Sequence, residues 1–378
     1  MSDAASTNQL GLSSELLRWL RLLVLPLWAR VVIFGLMIVV VVGGLTMLAY
    51  GLWAQKDDMA SRAMQLITLS LPVLVVVLAL VFGQLLAVQL AEALARTGTD
   101  ELWEFGAGTG ALALQVLQAL QALGVPVRRY TIVDLSGTLR ARQQETLAEF
   151  AGLVHWADAL PEQFSGVVLG NEVLDAMPVQ LLQRTQGRWH ERGVVADGAG
   201  FAWQDRLTEL RPPLEIDGEH DYLTEIHLQG DAFVRTLGER LQRGAAFFID
   251  YGFGESEYYH PQRHMGTLVC HHLHQVDSDP LDKVGLKDIT AHVNFTGTAV
   301  AAQDIGFDVL GYTTQAHFLI NCGLQQKLEQ LTLAQRAPAL KLMLEHEMGE
   351  LFKVIGLVKG VEAWEARGFS QGDRTHRL

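Results

Sequence analysis

The chain has 378 residues, of which 49% are hydrophobic and 19% charged, and a formal net charge of −13. Residues 1–95 contain equal numbers of acidic and basic side chains, so the whole negative charge belongs to residues 96–378. An acidic body repels phosphate backbones and therefore disfavours a nucleic-acid substrate. Two cysteines, Cys270 and Cys322, provide no disulfide framework and are typical of a reducing compartment.

The first 80 residues are unusually apolar and predict attachment to a membrane. Val31–Trp53 is 23 residues long without a charge, which is enough for a helix to cross a bilayer. Arginines before this stretch place the N-terminus on the cytoplasmic side, and a second apolar stretch, Ile67–Val88, returns the chain there. Two transmembrane helices within residues 31–88 therefore predict an enzyme domain, over 81–378, on the cytoplasmic side of the inner membrane. Without insertion the enzyme is cytoplasmic; a buried core helix or a signal peptide is the alternative for the first stretch.

Residues 82–94 allow a second interpretation. Leu85, Leu90 and Leu94 fall on one side of an amphipathic helix that precedes the first strand of the enzyme domain. The same residues cannot lie both inside a bilayer and against a protein sheet. The two interpretations therefore exclude each other near residue 80.

A strand, a glycine-rich turn and a helix follow one another from residue 101. Leu102–Phe105 predicts a short buried strand, and Ala111–Leu123 predicts a helix whose N-terminus points at a ligand. Between them, Gly106, Gly108 and Gly110 allow the backbone to approach that ligand closely. Turns of this kind bind several nucleotides, dinucleotides included, so the turn alone does not identify the cofactor.

Two carboxylates near this turn favour S-adenosylmethionine as the cofactor. Glu104 lies two residues before the first glycine, where it repels a pyrophosphate but attracts the ammonium group of S-adenosylmethionine. Asp134 follows a second predicted strand, Tyr130–Val133, where a carboxylate can accept hydrogen bonds from both ribose hydroxyls. Their order and spacing fit one mononucleotide fold and one cationic ligand.

A third predicted strand, near Leu153–Trp156, adds two candidates for the adenine end of the cofactor. Asp158 is placed to accept a hydrogen bond from the adenine amino group, and Trp156 is placed to line the ring. The alternative for Asp158 is a residue that caps a turn.

Polar side chains after the fourth predicted strand, Gly166–Leu169, indicate the site of the methyl acceptor. Ligands of open α/β sheets lie at the carboxyl ends of the strands, which places Asn171, Glu172 and Asp175 at the mouth of the site. Two carboxylates there predict a basic acceptor, because they can grip a guanidinium and orient one of its nitrogens. The alternative for Asn171 and Asp175 is the capping of a following turn or helix.

A fifth predicted strand, Ala246–Ile249, ends in Asp250 at the same edge. The segment before it, about 180–240, is an insert whose alternating polar and apolar residues over 180–215 predict a β ribbon along the substrate. Farther on, His292 is a candidate proton acceptor, with a structural histidine as the alternative.

The run Cys270, His272 and His274 shares one face of a strand, but it lacks the ligand number and spacing of a structural zinc site. The sequence therefore predicts no metal. From about Gln325 onward the residues predict helices with one apolar face that pack against the domain, and this face includes Leu351 and Val354.

Seven ordered segments within residues 82–325 resemble the MidA-like methyltransferase family: EFGAGTGALA, YTIVDLSGTLRARQ, GNEVLDAMPVQ, DYGF, EYYHPQRHMGTLVC, DITAHVNF and TTQAHFLINCGL. The resemblance implies a Rossmann-like class I fold, S-adenosylmethionine as methyl donor and a protein arginine as acceptor. The family includes a mitochondrial assembly factor that methylates an arginine of a complex I subunit, so a respiratory-complex subunit is the implied partner. The family's cofactor residues match at Glu104, Gly106, Gly108, Gly110 and Asp134, and its acidic motif matches at Asn171, Glu172, Asp175 and Pro178.

Some positions depart from the family pattern. Asp134 replaces a usual glutamate, Asn294 a usual aspartate and His271 a usual tyrosine. Residues 1–81 also lack the soluble segment with which family members cover the cofactor. This departure keeps a non-catalytic assembly factor that binds the cofactor as an alternative, and a dinucleotide-binding oxidoreductase is a more distant one.

Overall fold

The computed structural model describes residues 80–198, 200–272, 275–344 and 348–378. By contacts between residues the chain divides into two compact units, one of Met1–Val77 with Glu329–Pro338, and one of Leu78–Leu328 with Ala339–Leu378. The first unit lies mostly outside the described residues, and with it the predicted span Val31–Trp53 and most of Ile67–Val88. The second unit holds the sheets described below.

A central, mostly parallel sheet organises the second unit. Its strands are β1 (Glu101–Phe105), β2 (Arg129–Val133), β3 (Val154–Ala157), β4 (Phe164–Asn171), β9 (Leu241–Phe253), β14 (Asp308–Thr314) and β15 (Phe352–Lys359), and the short β13 (Val293–Asn294) pairs with β9. The strand order is β14-β15-β9-β4-β1-β2-β3, and β15 runs antiparallel to both of its neighbours. The strands predicted from buried apolar runs are all present, with longer bounds at β4 and β9.

Helices connect these strands, and several of them cover the faces of the sheet. The combination of a parallel sheet with connecting helices is the α/β fold that the alternation of strand and helix patterns predicts. The helices are α1 (80–97), α2 (Ala111–Ala122), α3 (Gly137–Thr146), α4 (Leu228–Arg240), α5 (Glu255–Tyr258), α6 (Phe295–Gln303), α7 (Gln315–Asn321), α8 (Leu324–Gln330), α9 (Leu333–Lys341) and α10 (Met348–Leu351).

The main core lies between one face of the sheet and helices α4 and α6. Trp103 and Phe105 on β1 point to this face, as do Val168 on β4 and Phe248 on β9. Because strand side chains alternate, Glu104 points to the opposite face. The residues before and after Glu104 therefore fix this strand by packing in the core, and the carboxylate of Glu104 lies on the other face.

Helix α1 packs on the enzyme domain. Leu85, Leu86 and Leu90 are buried, and Gly83 permits a close approach to α2, since a Cβ there would lie 2.5 Å from Cβ of Gln115. The amphipathic-helix interpretation of residues 82–94 is thus confirmed, and extension of a membrane span to residue 88 is wrong. Within the described ranges, no helix combines the length and apolar character needed to cross a bilayer.

Two smaller antiparallel sheets are attached to the central one. Their strands are β5 (Gln180–Thr185), β6 (Arg188–Asp197), β7 (Gly200–Leu207), β8 (Tyr222–Ile226), β10 (Val269–His272), β11 (Gln275–Asp277) and β12 (Asp288–Thr290). Within the predicted insert, four strands form a sheet of order β7-β6-β5-β8, and the segment that follows them is helix α4. The other small sheet has the order β11-β10-β12.

A buried carboxylate joins the insert to the body of the domain. Glu225 on β8 accepts hydrogen bonds from Tyr258 Oη (2.9 Å) and from the backbone N–H groups of Thr267 (2.8 Å) and Leu268 (3.1 Å). These bonds satisfy a charge that would otherwise be costly to bury. The insert is therefore held against the loop that leads into β10.

The C-terminal prediction is partly wrong. Helices α8 to α10 lie where helices are predicted, but Phe352–Lys359 forms β15, a buried strand inside the sheet. Val354 therefore belongs to a strand and not to a helical face. A short apolar run that is buried on both faces has no alternation that separates a strand from a helix.

Candidate functional site

The glycine turn lies between β1 and α2 and has the conformation that only glycine adopts easily. Gly106, Gly108 and Gly110 have φ angles of +64°, +52° and +82°. A Cβ at Gly106 would lie 3.1 Å from Val173, whereas a Cβ at Gly108 would meet no atom within 4 Å. The turn therefore packs tightly at its first glycine and faces open space at its second, which fits a bound cofactor.

Gln143, on α3, joins the turn to the ends of two neighbouring strands. This residue is fully buried. Its amide nitrogen donates to the carbonyl of Gly108 (2.9 Å) and to Asp134 Oδ2 (2.7 Å). Its amide oxygen accepts from Trp156 Nε1 (2.9 Å). This residue was not among those predicted from the sequence, although it is the last residue of the segment YTIVDLSGTLRARQ.

Asp134 lies directly after β2, as predicted. Its second oxygen, Oδ1, accepts from the backbone N–H of Ser136 (2.8 Å). With Gln143 on Oδ2, both oxygens are oriented by protein donors, and each retains lone pairs for further bonds. This carboxylate is therefore fixed at the position where class I folds bind the ribose.

Glu104 is buried at the end of β1, beside the turn. Burial raises the pKa of its carboxyl to about 7, and Tyr130 Oη donates a hydrogen bond to Oε2 (2.8 Å), which favours the charged form. Binding of the cofactor ammonium by this carboxylate stays a prediction. Tyr130, from the neighbouring strand, is a partner that the sequence analysis did not foresee.

The adenine-side candidates occupy different environments. Trp156 is half-buried and belongs to the network of Gln143. Asp158 is largely exposed, with 78% of its side chain accessible, and it pairs with Arg140 Nη2. Trp156 is thus positioned by the cofactor network, whereas the structure shows Asp158 only in a surface ion pair.

The turn after β4 is organised by a carboxylate of β9. Oδ2 of Asp250 accepts hydrogen bonds from three consecutive backbone N–H groups, those of Val173 (3.1 Å), Leu174 (2.8 Å) and Asp175 (3.2 Å). Glu172, just before them, has a φ of +52°, which a residue with a side chain adopts only at a cost of about 1–2 kcal/mol. Strain of this kind persists where neighbouring structure enforces it, and it is frequent at functional sites.

Three carboxyl groups converge at this edge. Asp175 and Asp250 are buried; burial, followed by the neighbouring charge of Glu172, raises the pKa of Asp175 to about 6. Burial and the charge of Asp175 raise the pKa of Asp250 well above its usual value. The protonation of each carboxyl therefore depends on the charge of the other.

Glu172 is exposed at the mouth of the site. The surrounding protein displaces water from its carboxyl and raises its pKa, while a hydrogen bond from Asn171 Nδ2 (3.1 Å) opposes this effect. Asp288 on β12 and His271 on β10 also act on its charge, so both lie near. The structure thus brings together the predicted Asn171, Glu172 and Asp175.

His292 lies against the aromatic side chains at the end of β9. Its ring stacks on Phe253, with 5.2 Å between centroids and 8° between planes. Burial lowers the pKa of His292 to about 4, so the ring is neutral at physiological pH. The sequence-based role as proton acceptor stays a prediction, and a structural role fits the stacking as well.

Two further predictions concern metals and cysteines. In the parts of the chain that the structure describes, no three His, Cys, Asp or Glu side chains are arranged for a metal ion. Cys270 is buried, and His272 Nδ1 lies 2.7 Å from the carbonyl oxygen of Leu286, whereas His274 lies outside the described residues. Cys270 and Cys322 are free and buried.

The sheet order, the glycine turn and the carboxylates at the ends of β1 and β2 together define a class I methyltransferase. Residues 85–313 match the family described as "Putative S-adenosyl-L-methionine-dependent methyltransferase". The chain belongs to this family, and its cofactor is S-adenosylmethionine.

Solved structures agree with this assignment. The chain is similar to a Burkholderia thailandensis protein crystallised with S-adenosyl-homocysteine, with 48% identity and a TM-score of 0.75, over 80% of this chain and 82% of that one. S-adenosyl-homocysteine is the product left when S-adenosylmethionine loses its methyl group. The predicted cofactor and the class I fold are thereby confirmed.

Two curated relatives carry the name protein arginine methyltransferase NDUFAF7, mitochondrial. The Drosophila melanogaster homologue is 29% identical over 332 residues, 75% of this chain and 74% of its own. The Danio rerio protein is 26% identical over 326 residues, 74% of each chain. Their names concern those proteins, and at this identity they do not fix the acceptor of the present chain.

Proposed function

We propose that this protein methylates an arginine side chain of another protein. The observation that supports this proposal is the convergence of Glu172, Asp175 and Asp250 at the carboxyl ends of β4 and β9, with Asp288 nearby. A group of carboxylates selects a cationic acceptor, and a guanidinium offers the donors that such a group can bind in pairs. The names of the curated relatives support the same acceptor.

These residues act by positioning and by accepting a proton. S-adenosylmethionine supplies an electrophilic methyl group and leaves as S-adenosyl-homocysteine. Glu172 holds the guanidinium so that one nitrogen faces the methyl carbon, and Asp175 assists. Because a guanidinium that gains a methyl group must lose one proton to keep its charge of +1, a carboxylate of this group accepts that proton. Orientation and the exclusion of water supply most of the rate enhancement.

Substitution of Glu172 tests the proposal. Glu172→Gln keeps the size of the side chain but removes its charge, so we expect methyl transfer to fall at least about 100-fold in single turnovers. Affinity for S-adenosyl-homocysteine should stay unchanged, and Glu162→Gln, at an exposed glutamate, should match the wild type. The acceptor is sought by mass spectrometry of methyl-arginine in cells with and without this chain. Undiminished transfer by Glu172→Gln would exclude the assigned role.

A non-catalytic assembly factor is the second candidate, because residues 1–81 lack the segment with which family members cover the cofactor. The two candidates differ in one measurable result. An enzyme transfers labelled methyl groups to a co-purified protein, whereas an assembly factor binds the cofactor and leaves the label on it. A subunit of a respiratory complex is the partner that we propose for either activity.

The membrane tether remains a separate proposal about the apolar residues that precede helix α1, since α1 belongs to the enzyme domain. The apolar character of Val31–Trp53 supports it. A tether would hold the acidic domain close to an acceptor at the cytoplasmic face of the inner membrane. Fractionation of cells tests it: the full chain should sediment with the membranes and resist extraction by salt.

A further inference from the structure

An apolar groove runs along the outside of the insert. It has a volume of about 410 Å³, and its walls include Val194, Phe201 and Trp203 from the insert and Val284 and Ile289 from the segment around β12. These five side chains are between 38% and 54% exposed. Large apolar side chains gathered in an exposed concavity are typical of a surface that binds a partner.

The charges beside the groove favour a basic partner. Arg192, in the wall, is already paired with both oxygens of Asp205 at 2.8 Å, and Lys287 is paired with Asp277 at 2.8 Å. Glu191, also in the wall, makes no ion pair with any described residue. The cations are therefore neutralised, and the remaining charge of the groove is negative.

The groove borders the acidic site. Gln180, in its wall, follows Asp175 by five residues, and Ile289 directly follows Asp288, whose charge acts on Glu172.

We propose that this groove binds the acceptor polypeptide through apolar side chains that flank the methylated arginine. The inference rests on the proposed function and adds a specificity to it: arginines in apolar, basic segments are preferred. Neighbouring residues of a strand point to opposite faces. On β12, Asp288 therefore faces the acidic site and Ile289 faces the groove.

Two labelled peptides of about 15 residues test the proposal on the full chain. One carries a single arginine, lysines at its ends and three leucines centred about five residues from the arginine; the other has serines in place of the leucines. We measure binding by fluorescence anisotropy in the presence of S-adenosyl-homocysteine. The leucine peptide should bind at least about tenfold more tightly, as expected for the burial of two or three apolar side chains.

Variants locate the binding surface. Phe201→Ser with Ile289→Ser should abolish the preference for the leucine peptide, and Val194→Ser alone should reduce it. Leu123→Ser, at a side chain that is 54% exposed outside the groove, serves as the control and should bind like the wild type. Equal binding of the two peptides by the wild type would overturn the proposal, as would an equal loss in the Leu123 variant.

Transfer of labelled methyl groups to the same peptides separates the two proposals. A preference in binding that the groove variants abolish, without any methyl-arginine, supports the groove and contradicts arginine methylation. Methyl-arginine formed equally on both peptides, with equal affinities, supports the proposed function and contradicts the groove.

Discussion

Glu104 is buried at the end of β1, and burial raises the pKa of its carboxyl to about 7. If this carboxylate receives the ammonium group of the cofactor, binding favours the ionised form and releases a proton. Affinity for S-adenosyl-homocysteine should then rise as the pH increases through 7, and level off above it. Between pH 6 and pH 8 the expected increase is about tenfold.

Calorimetry at both pH values, in buffers of different ionisation enthalpy, measures the affinity and the released proton together. In Glu104→Gln the side chain cannot ionise. This variant should bind S-adenosyl-homocysteine more weakly and should lack the rise of affinity with pH. The exposed Glu162→Gln is the matched control and should keep the wild-type dependence. A dependence on pH that persists in Glu104→Gln would assign the titration to another group.

Gln143 affects the cofactor site indirectly. It orients the Gly108 carbonyl, Asp134 and Trp156, and no contact of its own with the cofactor is assigned. Gln143→Met has a similar size but removes the donors to Gly108 and Asp134 and the acceptor for Trp156. We expect at least a tenfold loss of affinity for S-adenosyl-homocysteine and a loss of roughly 1–3 kcal/mol in the free energy of unfolding.

Gln118→Met is the control, because Gln118 makes an exposed hydrogen bond to Glu149 on the protein surface. It should change neither quantity appreciably. Equal affinity of the wild type and Gln143→Met, measured on protein that is fully folded, would show that Asp134 needs no such support.

Site residues can be predicted from the sequence when a side chain with suitable chemistry also lies at the end of a predicted strand. Glu104, Asp134 and Glu172 each follow or end a strand, and strand ends meet at one edge of a parallel sheet. Gln143 carries no such signal: it is a polar residue in the polar helix α3, and only the fold buries it. Asp250 was expected at this edge, but its three backbone partners come from a turn 75 to 77 residues earlier in the chain.

At the scale of elements, the turn after β4 and the end of β9 bring together two carboxyl groups, Asp175 and Asp250, whose ionisation is linked. Burial raises the pKa of Asp175 to about 6, above its usual value of 3.8, so the folded state binds more protons than the unfolded state between these values. The contribution of Asp175 to the free energy of unfolding therefore falls as the pH rises from 4 to 6.

Asp175→Asn should remove this dependence, because an amide of the same size cannot ionise. We expect the variant to be more stable than the wild type at pH 7.5 by roughly 1–3 kcal/mol, and less active in methyl transfer. Urea unfolding at several pH values measures the difference. Parallel curves for the two proteins would refute the assignment, and Asp221→Asn, at an exposed position, is the control.

The same scale shows why the final strand escaped prediction. Strands β1 and β2 are bounded by glycines or charged residues that mark their ends. Strand β15 follows the short helix α10 directly, and seven of its eight residues are buried. A run buried on both faces shows neither the alternation of a half-buried strand nor the 3.6-residue period of an amphipathic helix. It becomes a strand only because β9 and β14 pair with its two edges.

At the scale of the whole molecule, the described enzyme unit begins with α1. Gln89 Oε1 accepts from the backbone N–H of Gly368 (2.6 Å), and Glu92 Oε2 accepts from that of Arg367 (2.9 Å). The start of the domain is therefore bonded to its end. Helix α1 is thus an integral part of the fold, whatever residues 31–77 do.

Two truncations test this conclusion. A chain of residues 78–378 should unfold cooperatively and bind S-adenosyl-homocysteine within about twofold of the full chain. A chain of residues 98–378 should do neither: α1 buries several large apolar side chains that each contribute about 1.5–3 kcal/mol, and their sum reaches the whole stability of a typical domain. Gly83→Leu in the full chain is the matched variant, since it blocks the approach to Gln115 and removes no residue. Cooperative unfolding of residues 98–378, with normal binding, would show that the sheet is stable without α1.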